Sequence, residues 1–163
     1  IASGYGTGIF YGDFLKPVAA GTVEKDTGTA TLTPIGVFVG CSYTDPTSQQ
    51  LTFNQQWPTG TVAADAMAYV VDDPDVVMQM QSDEAIAQTG LFNNVDVVQT
   101  AGSTAIGRSK NALNGGNIAT TNTLPLRIVE FVDGPTSTVG DAFTDCLVSF
   151  VPTMHRYRNI LGT

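Results

Sequence analysis

The residues with chemically reactive side chains are few and far apart in this chain. Its single histidine, His155, excludes a histidine-rich metal site and makes any Ser-His-Asp arrangement depend on that one residue. Cys41 and Cys146 lie in apolar, strand-like runs, where burial raises the pKa of a thiol and disfavours the thiolate. A G-x-S-x-G nucleophile motif is absent. We therefore predict that the chain is not an enzyme and has no catalytic residues.

Two further patterns resemble ligand sites but lack the partners that such sites need. The alternate glycines from Gly4 to Gly8 resemble a phosphate-binding loop, yet they precede a strand-like run and no Lys-Ser/Thr follows. The acidic residues at 72, 73 and 75 offer oxygen ligands for Ca²⁺, but they lack EF-hand spacing and are too few alone. We predict a solvated acidic turn at 72–75, and no bound metal or cofactor.

Trp57 offers a different function, because an exposed indole can stack on a sugar in a glycan-binding β-sandwich module. That role needs an exposed ring, whereas packing over the edge of a β core is the commoner fate of a tryptophan. The chain has 15 acidic residues, but no spacing singles out a pair for glycoside hydrolysis. We favour packing for Trp57 and keep the glycan-binding module as an alternative.

The charge composition limits the classes of partner. Charged residues make up 13% of the chain and its net charge is −8, which disfavours nucleic acid because phosphate binding depends on Lys and Arg. No run of 18 apolar residues occurs, so we predict no membrane-spanning helix and no membrane partner. The basic cluster at 155–158 is either solvated or paired within the chain, or it meets an acidic neighbouring subunit.

Short strand-like runs separated by turn residues predict an all-β fold, a β-barrel or β-sandwich, as one domain over residues 1–163. The 22 threonines and 17 glycines fit strands and turns better than helices. One short helix is predicted near residues 83–88, with Ser82 as N-cap and Gly90 near the C-cap. Cys41 and Cys146 are predicted to be buried free thiols, the alternative being a disulfide.

The clearest strand is predicted over residues 35–43. Alternation places Ile35, Val37, Val39, Cys41 and Tyr43 on one face, and Gly36 and Gly40 on the other leave room for a close neighbour. Two strands, within 63–71 and 76–81, are predicted on either side of the acidic turn. Further strands are predicted near 95–99, 126–132 and 143–151.

Two polar, turn-rich segments are predicted to be arms or loops. Residues 1–8 are expected to form an N-terminal arm and residues 102–122 a long loop or arm, ordered by a partner surface because each buries little apolar area. A translated chain starts with Met, so residues before Ile1 have either been removed or lie outside this numbering.

Several stretches together resemble the small, β-rich head decoration (cement) proteins of tailed bacteriophages. They are residues 12–15 (GDFL), 34–43 (PIGVFVGCSY), 68–75 (AYVVDDPD), 124–129 (LPLRIV) and 155–157 (HRY). The resemblance covers most of the chain and is carried by fold elements, so it transfers no binding residue.

The resemblance implies a virion structural protein on the capsid exterior, made in the cytoplasm of a host bacterium. Its partners would be the major capsid protein and further copies of itself, as a homo-oligomeric dimer or trimer that stabilises the expanded head. A tail, fibre or baseplate component of a virion is the nearest alternative.

Overall fold

A computed structural model describes residues 1–160 and confirms that the fold is all-β, with the architecture of a sandwich. No helix long and apolar enough to cross a membrane occurs in this described range. Within it the strands are β1 (Ile9–Phe10), β2 (Phe14–Pro17), β3 (Val23–Lys25), β4 (Gly36–Thr44), β5 (Leu51–Asn54), β6 (Gln56–Trp57), β7 (Met67–Val71), β8 (Val77–Gln81), β9 (Asn94–Val98), β10 (Ala112–Ala119), β11 (Leu126–Phe131) and β12 (Asp145–Phe150).

Strands β1 and β6 form a small two-stranded antiparallel sheet, and two five-stranded antiparallel sheets divide the chain into consecutive halves. The N-terminal sheet has the order β3-β2-β4-β5, with β7 pairing along the other side of β4. The C-terminal sheet has the order β10-β9-β11-β12-β8. As predicted, β7 and β8 flank the acidic turn, but they belong to different sheets, so the turn crosses from one sheet to the other.

Two apolar clusters hold these layers together. The larger one joins Phe14 and Leu32 to the inner side chains of the C-terminal sheet, such as Val95, Ile128 and Val148. The second lies on the opposite face of the N-terminal sheet, where Phe38, Tyr43 and Trp57 are buried. The N-terminal sheet is therefore covered on both faces over part of its area.

The strand predicted over 35–43 is present, but its alternation of faces is interrupted by a bulge. Phe38 pairs with Val70 and Gly40 pairs with Tyr69, so Val39 is an extra residue in β4. An extra residue reverses which face each later side chain occupies. Cys41 and Tyr43 consequently lie in the cluster of Phe38 and not on the face of Val37, correcting the predicted assignment.

The glycines of this strand do admit close neighbours. A Cβ at Gly36 would lie 2.2 Å from the carbonyl oxygen of Val71, and one at Gly40 would lie 3.1 Å from that of Asn54. Gly40 also has a φ of +145°, which disfavours other residues. The predicted close approach is confirmed at both glycines, but the bulge places them on opposite faces, since a Cβ at Gly36 would meet Val70 of the second cluster and one at Gly40 would meet Tyr69.

The helix predicted at 83–88 is not at that position; between residues 1 and 160 the helical element is a single 3₁₀ turn at Gln88–Gly90. Its expected cap, Ser82, instead donates to the carbonyl of Glu84 and accepts from the backbone of Thr144. The Asp83 carboxylate accepts from the backbone of Gly115. The side chains expected at the start of a helix thus bind distant backbone groups, Ser82 that of Thr144 and Asp83 that of Gly115.

The prediction of a long loop or arm over 102–122 is wrong in its second half. Ala112–Ala119 is a strand, β10, paired with β9. The pairing jumps between Leu113 and Ile118, so the polar residues 114–117 bulge out of the ladder. The bulge contains the sequence NGGN, which is typical of a turn, and this is why the sequence predicted a loop where the strand lies.

Residues 1–8 were predicted to be an arm ordered by a partner, but they pack on the chain itself. Ile1 and Tyr5 lie against the second cluster. The carbonyl of Tyr5 accepts hydrogen bonds from the indole of Trp57 at 3.3 Å and from the backbone of Gly60 at 2.8 Å. These contacts within the chain order the segment, a role that the sequence predicted for a partner surface.

Replacing Tyr5 by alanine is therefore expected to lower the free energy of unfolding by about 2 kcal/mol, because a half-buried ring that packs against the second cluster is lost. Tyr5→Phe keeps the ring and removes only the hydroxyl that accepts a hydrogen bond from the backbone of Lys25, so it should cost under about 1 kcal/mol. Urea denaturation followed by tryptophan fluorescence measures both. An unchanged midpoint for Tyr5→Ala would show that the segment adds nothing to stability.

Candidate functional site

The two cysteines are buried and free, as predicted. Burial raises the pKa of Cys41 to about 11 and that of Cys146 to about 11. Both thiols are therefore protonated at neutral pH and are poor nucleophiles. Within residues 1–160, no group of three or more His, Cys, Asp or Glu side chains is arranged to hold a metal ion.

His155 is buried among aromatic rings. Its ring centre lies 5.0 Å from that of Phe150 and 5.4 Å from that of Tyr157, and its Nδ1 accepts a hydrogen bond from the backbone of Tyr157. Burial is the largest influence on the imidazole and lowers its pKa, partly opposed by a backbone hydrogen bond with Ile35. These neighbours make the imidazole a packed core group.

This burial predicts a loss of stability in mild acid. Because the folded pKa of His155 lies below the ordinary value of about 6.5, the unfolded chain takes up a proton first as the pH falls. The stabilisation is complete above pH 6.5 and is lost as the pH falls towards the folded pKa. We expect the urea midpoint to decrease from pH 7.5 to 5.5, and to decrease less in His155→Phe.

Two carboxylates with lowered pKa values titrate at lower pH than His155, whereas the amino group of Ile1, whose pKa burial lowers from 8.0, titrates equally in the wild type and in His155→Phe. Hydrogen bonds from the Ser48 backbone and from Thr44 lower the pKa of Asp45 and Asp65 respectively, so their contributions are lost only in stronger acid, below about pH 4. Equal pH dependence in the wild type and His155→Phe would contradict the assignment to His155.

Trp57 is buried, as favoured from the sequence. Its ring meets Tyr43 edge-on at 5.4 Å between ring centres, and its indole nitrogen donates to the carbonyl of Tyr5. A ring that is 1% exposed cannot stack on a sugar, so Trp57 does not provide the glycan platform considered above.

The acidic turn is not simply solvated, because it docks part of the basic C-terminal cluster. Asp72 accepts a hydrogen bond from the hydroxyl of Tyr157 at 2.7 Å, and Asp75 forms an ion pair with Arg158. Arg158 therefore pairs within the chain. The turn connects β7 of one sheet to β8 of the other. These two contacts therefore hold the C-terminal segment against the connection between the two sheets.

A buried polar network supports the loop before β10. The Asp13 carboxylate is 2.9 Å from Lys25 Nζ, and both side chains are buried. It also accepts hydrogen bonds from Ser109 Oγ at 2.7 Å and from the backbone of Phe10. The network ties β3 and the 107–111 loop to the turn that precedes β2.

The most unusual surface is an apolar face on the N-terminal sheet, which we define as Leu51, Phe53, Met67, Tyr69 and Val71. Phe53 and Met67 both pair with Ser42, from opposite sides of β4, and the Tyr69 hydroxyl donates to the Ser42 hydroxyl at 2.9 Å. These side chains occupy the face that packs on the C-terminal sheet near Val37. The N-terminal sheet extends beyond the area that the C-terminal sheet covers, so the apolar face is exposed to solvent.

The exposure of the apolar face is large for a protein surface. Phe53 is 70% exposed and Met67 is 61% exposed. Given roughly 150–250 Å² for a whole aromatic side chain, the face exposes on the order of 500 Å². Strands β4, β5 and β7 contain no charged residue, although β5 and β7 end the sheet, where charges normally prevent unwanted pairing. Contiguous apolar patches of this size are often functional.

An apolar cleft of about 440 Å³ adjoins the apolar face between the two sheets. Val37, Val39 and Val71 line it from one sheet, and Met78 and Met80 from the other. Tyr11 borders the cleft and also a shallow hollow formed with Phe53 and Tyr69. The apolar face and the cleft are thus continuous.

Sequence reasoning missed the residues of this surface. The alternation in Leu51-Thr52-Phe53-Asn54 was a usable strand signal, and the 63–71 run was identified as a strand. Neither pattern reveals whether a face is covered, because that depends on how far the second sheet extends.

Comparison with models of protein families, with curated proteins and with solved structures finds no match to this chain.

Proposed function

We propose that this chain is a non-enzymatic structural protein that joins a larger assembly through its apolar face. The observation that carries the proposal is the face itself, three adjacent strands without a charge that expose Phe53 and Met67. Burying such an area against a partner contributes roughly 25 cal/mol per Å² before the costs of association. The buried histidine and thiols are consistent with a role that requires no chemistry.

The assembly that we propose is the head of a tailed bacteriophage. The chain would decorate the capsid exterior by binding the major capsid protein, and would form a homo-oligomer there. This finer proposal is supported by the sequence resemblance described above. A ligand that binds only the expanded shell stabilises it by mass action, and many copies act together even where each contact is modest.

Protein composition of purified particles tests this proposal. We expect the chain at a copy number tied to that of the major capsid protein, and we expect particles stripped of it to lose heat resistance while keeping their shells. A copy number of a few to about a dozen would favour a tail, fibre or baseplate component. Absence from particles would overturn the virion role.

A further inference from the structure

The cleft runs along an open strand edge. Alternate residues of a strand point to opposite faces, yet the consecutive residues Met78, Gln79, Met80 and Gln81 all line the cleft. A cleft that touches both faces of β8 must pass beside its backbone. In the described range β12 is the strand that pairs along β8, and just beyond β8 an isolated parallel bridge joins Ser82 to Leu113 of β10, so the edge is open before Gln81.

The edge of β8 lacks the usual protection against pairing. Its sequence, VMQMQ, has no charge and no proline, the two features that commonly block an edge strand. The apolar side of β8 faces the valines of the N-terminal sheet across the cleft. An added strand would therefore find both free backbone groups and apolar pockets.

The charge at the cleft limits what binds there. Arg108 lines the cleft and is exposed, and neither ion pair found among residues 1–160 includes it. Hydrogen bonds between the backbone of Tyr11 and those of Gly107 and Ser109 hold this loop in place. A carboxylate is the complementary group for an unpaired guanidinium.

Resting on the proposed function, we propose that the cleft receives an extended segment of a different polypeptide as an added strand beside β8. That segment would carry aliphatic side chains at alternate positions and a carboxylate that reaches Arg108. A small apolar ligand would leave the β8 backbone unpaired. A second copy could offer its own β8 edge, but the sequence VMQMQ carries no carboxylate to reach Arg108.

A synthetic peptide tests the proposal without the natural partner. The probe is an octapeptide, acetylated at its N-terminus and amidated at its C-terminus, that alternates valine and threonine and ends in glutamate, and the readout is hydrogen exchange by NMR on the full chain. Bound peptide should slow exchange of the β8 amides that point away from β12 by at least about tenfold. A peptide with a central proline should not, because it lacks a backbone donor.

Arg108 provides the matched test of charge. Arg108→Gln should weaken the glutamate peptide about twofold to fivefold and leave a glutamine-ended peptide unchanged, as expected for an exposed ion pair. Equal weakening of both peptides would remove the carboxylate from the proposal.

The outcomes distinguish this proposal from the proposed function. Unslowed β8 amides at millimolar peptide, or equal slowing by the proline peptide, would overturn strand addition. Binding that perturbs only Leu51–Asn54 and Met67–Val71 would also overturn it, while leaving the apolar face as an interface. Failure of the proposed function appears separately, in the composition of particles.

Discussion

Replacing Phe53 and Met67 together by aspartate is expected to reduce binding to the partner assembly at least about a hundredfold. The two side chains are the centre of the apolar face, and each aspartate would have to lose its water in the interface. In the free chain both positions are exposed, so the free energy of unfolding should change by less than about 1 kcal/mol. Co-sedimentation with stripped particles measures the binding, and thermal denaturation checks the fold.

Phe92 supplies the matched control. It is 69% exposed but lies between the 3₁₀ turn and β9, away from the apolar face. Its φ of +64° is one that aspartate adopts more readily than phenylalanine, so Phe92→Asp should fold normally. It should also bind normally. If Phe92→Asp and the double variant bind equally well, or are equally impaired, the apolar face is not the interface.

Asp13→Ala is expected to lower the free energy of unfolding by about 3–5 kcal/mol, which corresponds to roughly 10 °C in Tm for a domain of this size. The substitution leaves the buried ammonium of Lys25 without its counter-ion. It also removes the acceptor for Ser109, which positions the 107–111 loop beside the cleft. Differential scanning calorimetry measures the loss.

A double-mutant cycle identifies the cause of that loss. Lys25→Met removes the charge and keeps an apolar stem, so the double variant should be less destabilised than the sum of the single ones by about 1–3 kcal/mol. Additive effects would show that Asp13 acts through its other hydrogen bonds. The cycle therefore separates the ion pair from the rest of the network.

The sequence predicted the all-β class because alternation and turn residues are local signals. It placed β4 correctly but not its faces, since the bulge at Val39 arises from pairing with β7. It predicted a helix at Ser82 because a capping residue looks the same whether it bonds its own turn or, as here, Thr144. Local sequence does not contain such long-range partners.

The candidate site was less predictable than the fold. Apolar alternation in β5 and β7 indicates one buried face and leaves open what buries it. Here the partner sheet stops short, so Phe53 is exposed while Val37 is packed. The cleft beside β8 likewise depends on where the chain crosses between sheets.

The division of the sandwich into consecutive halves sets an order for folding during synthesis. The N-terminal sheet is complete once Val71 has left the ribosome, whereas β12 ends at Phe150. At about 5–20 residues per second, that interval lasts roughly 4–16 s, longer than many β domains need to fold. During it Phe14 and Val37 lack the C-terminal sheet that covers them. Over this interval the nascent chain therefore exposes apolar surface that a chaperone can bind.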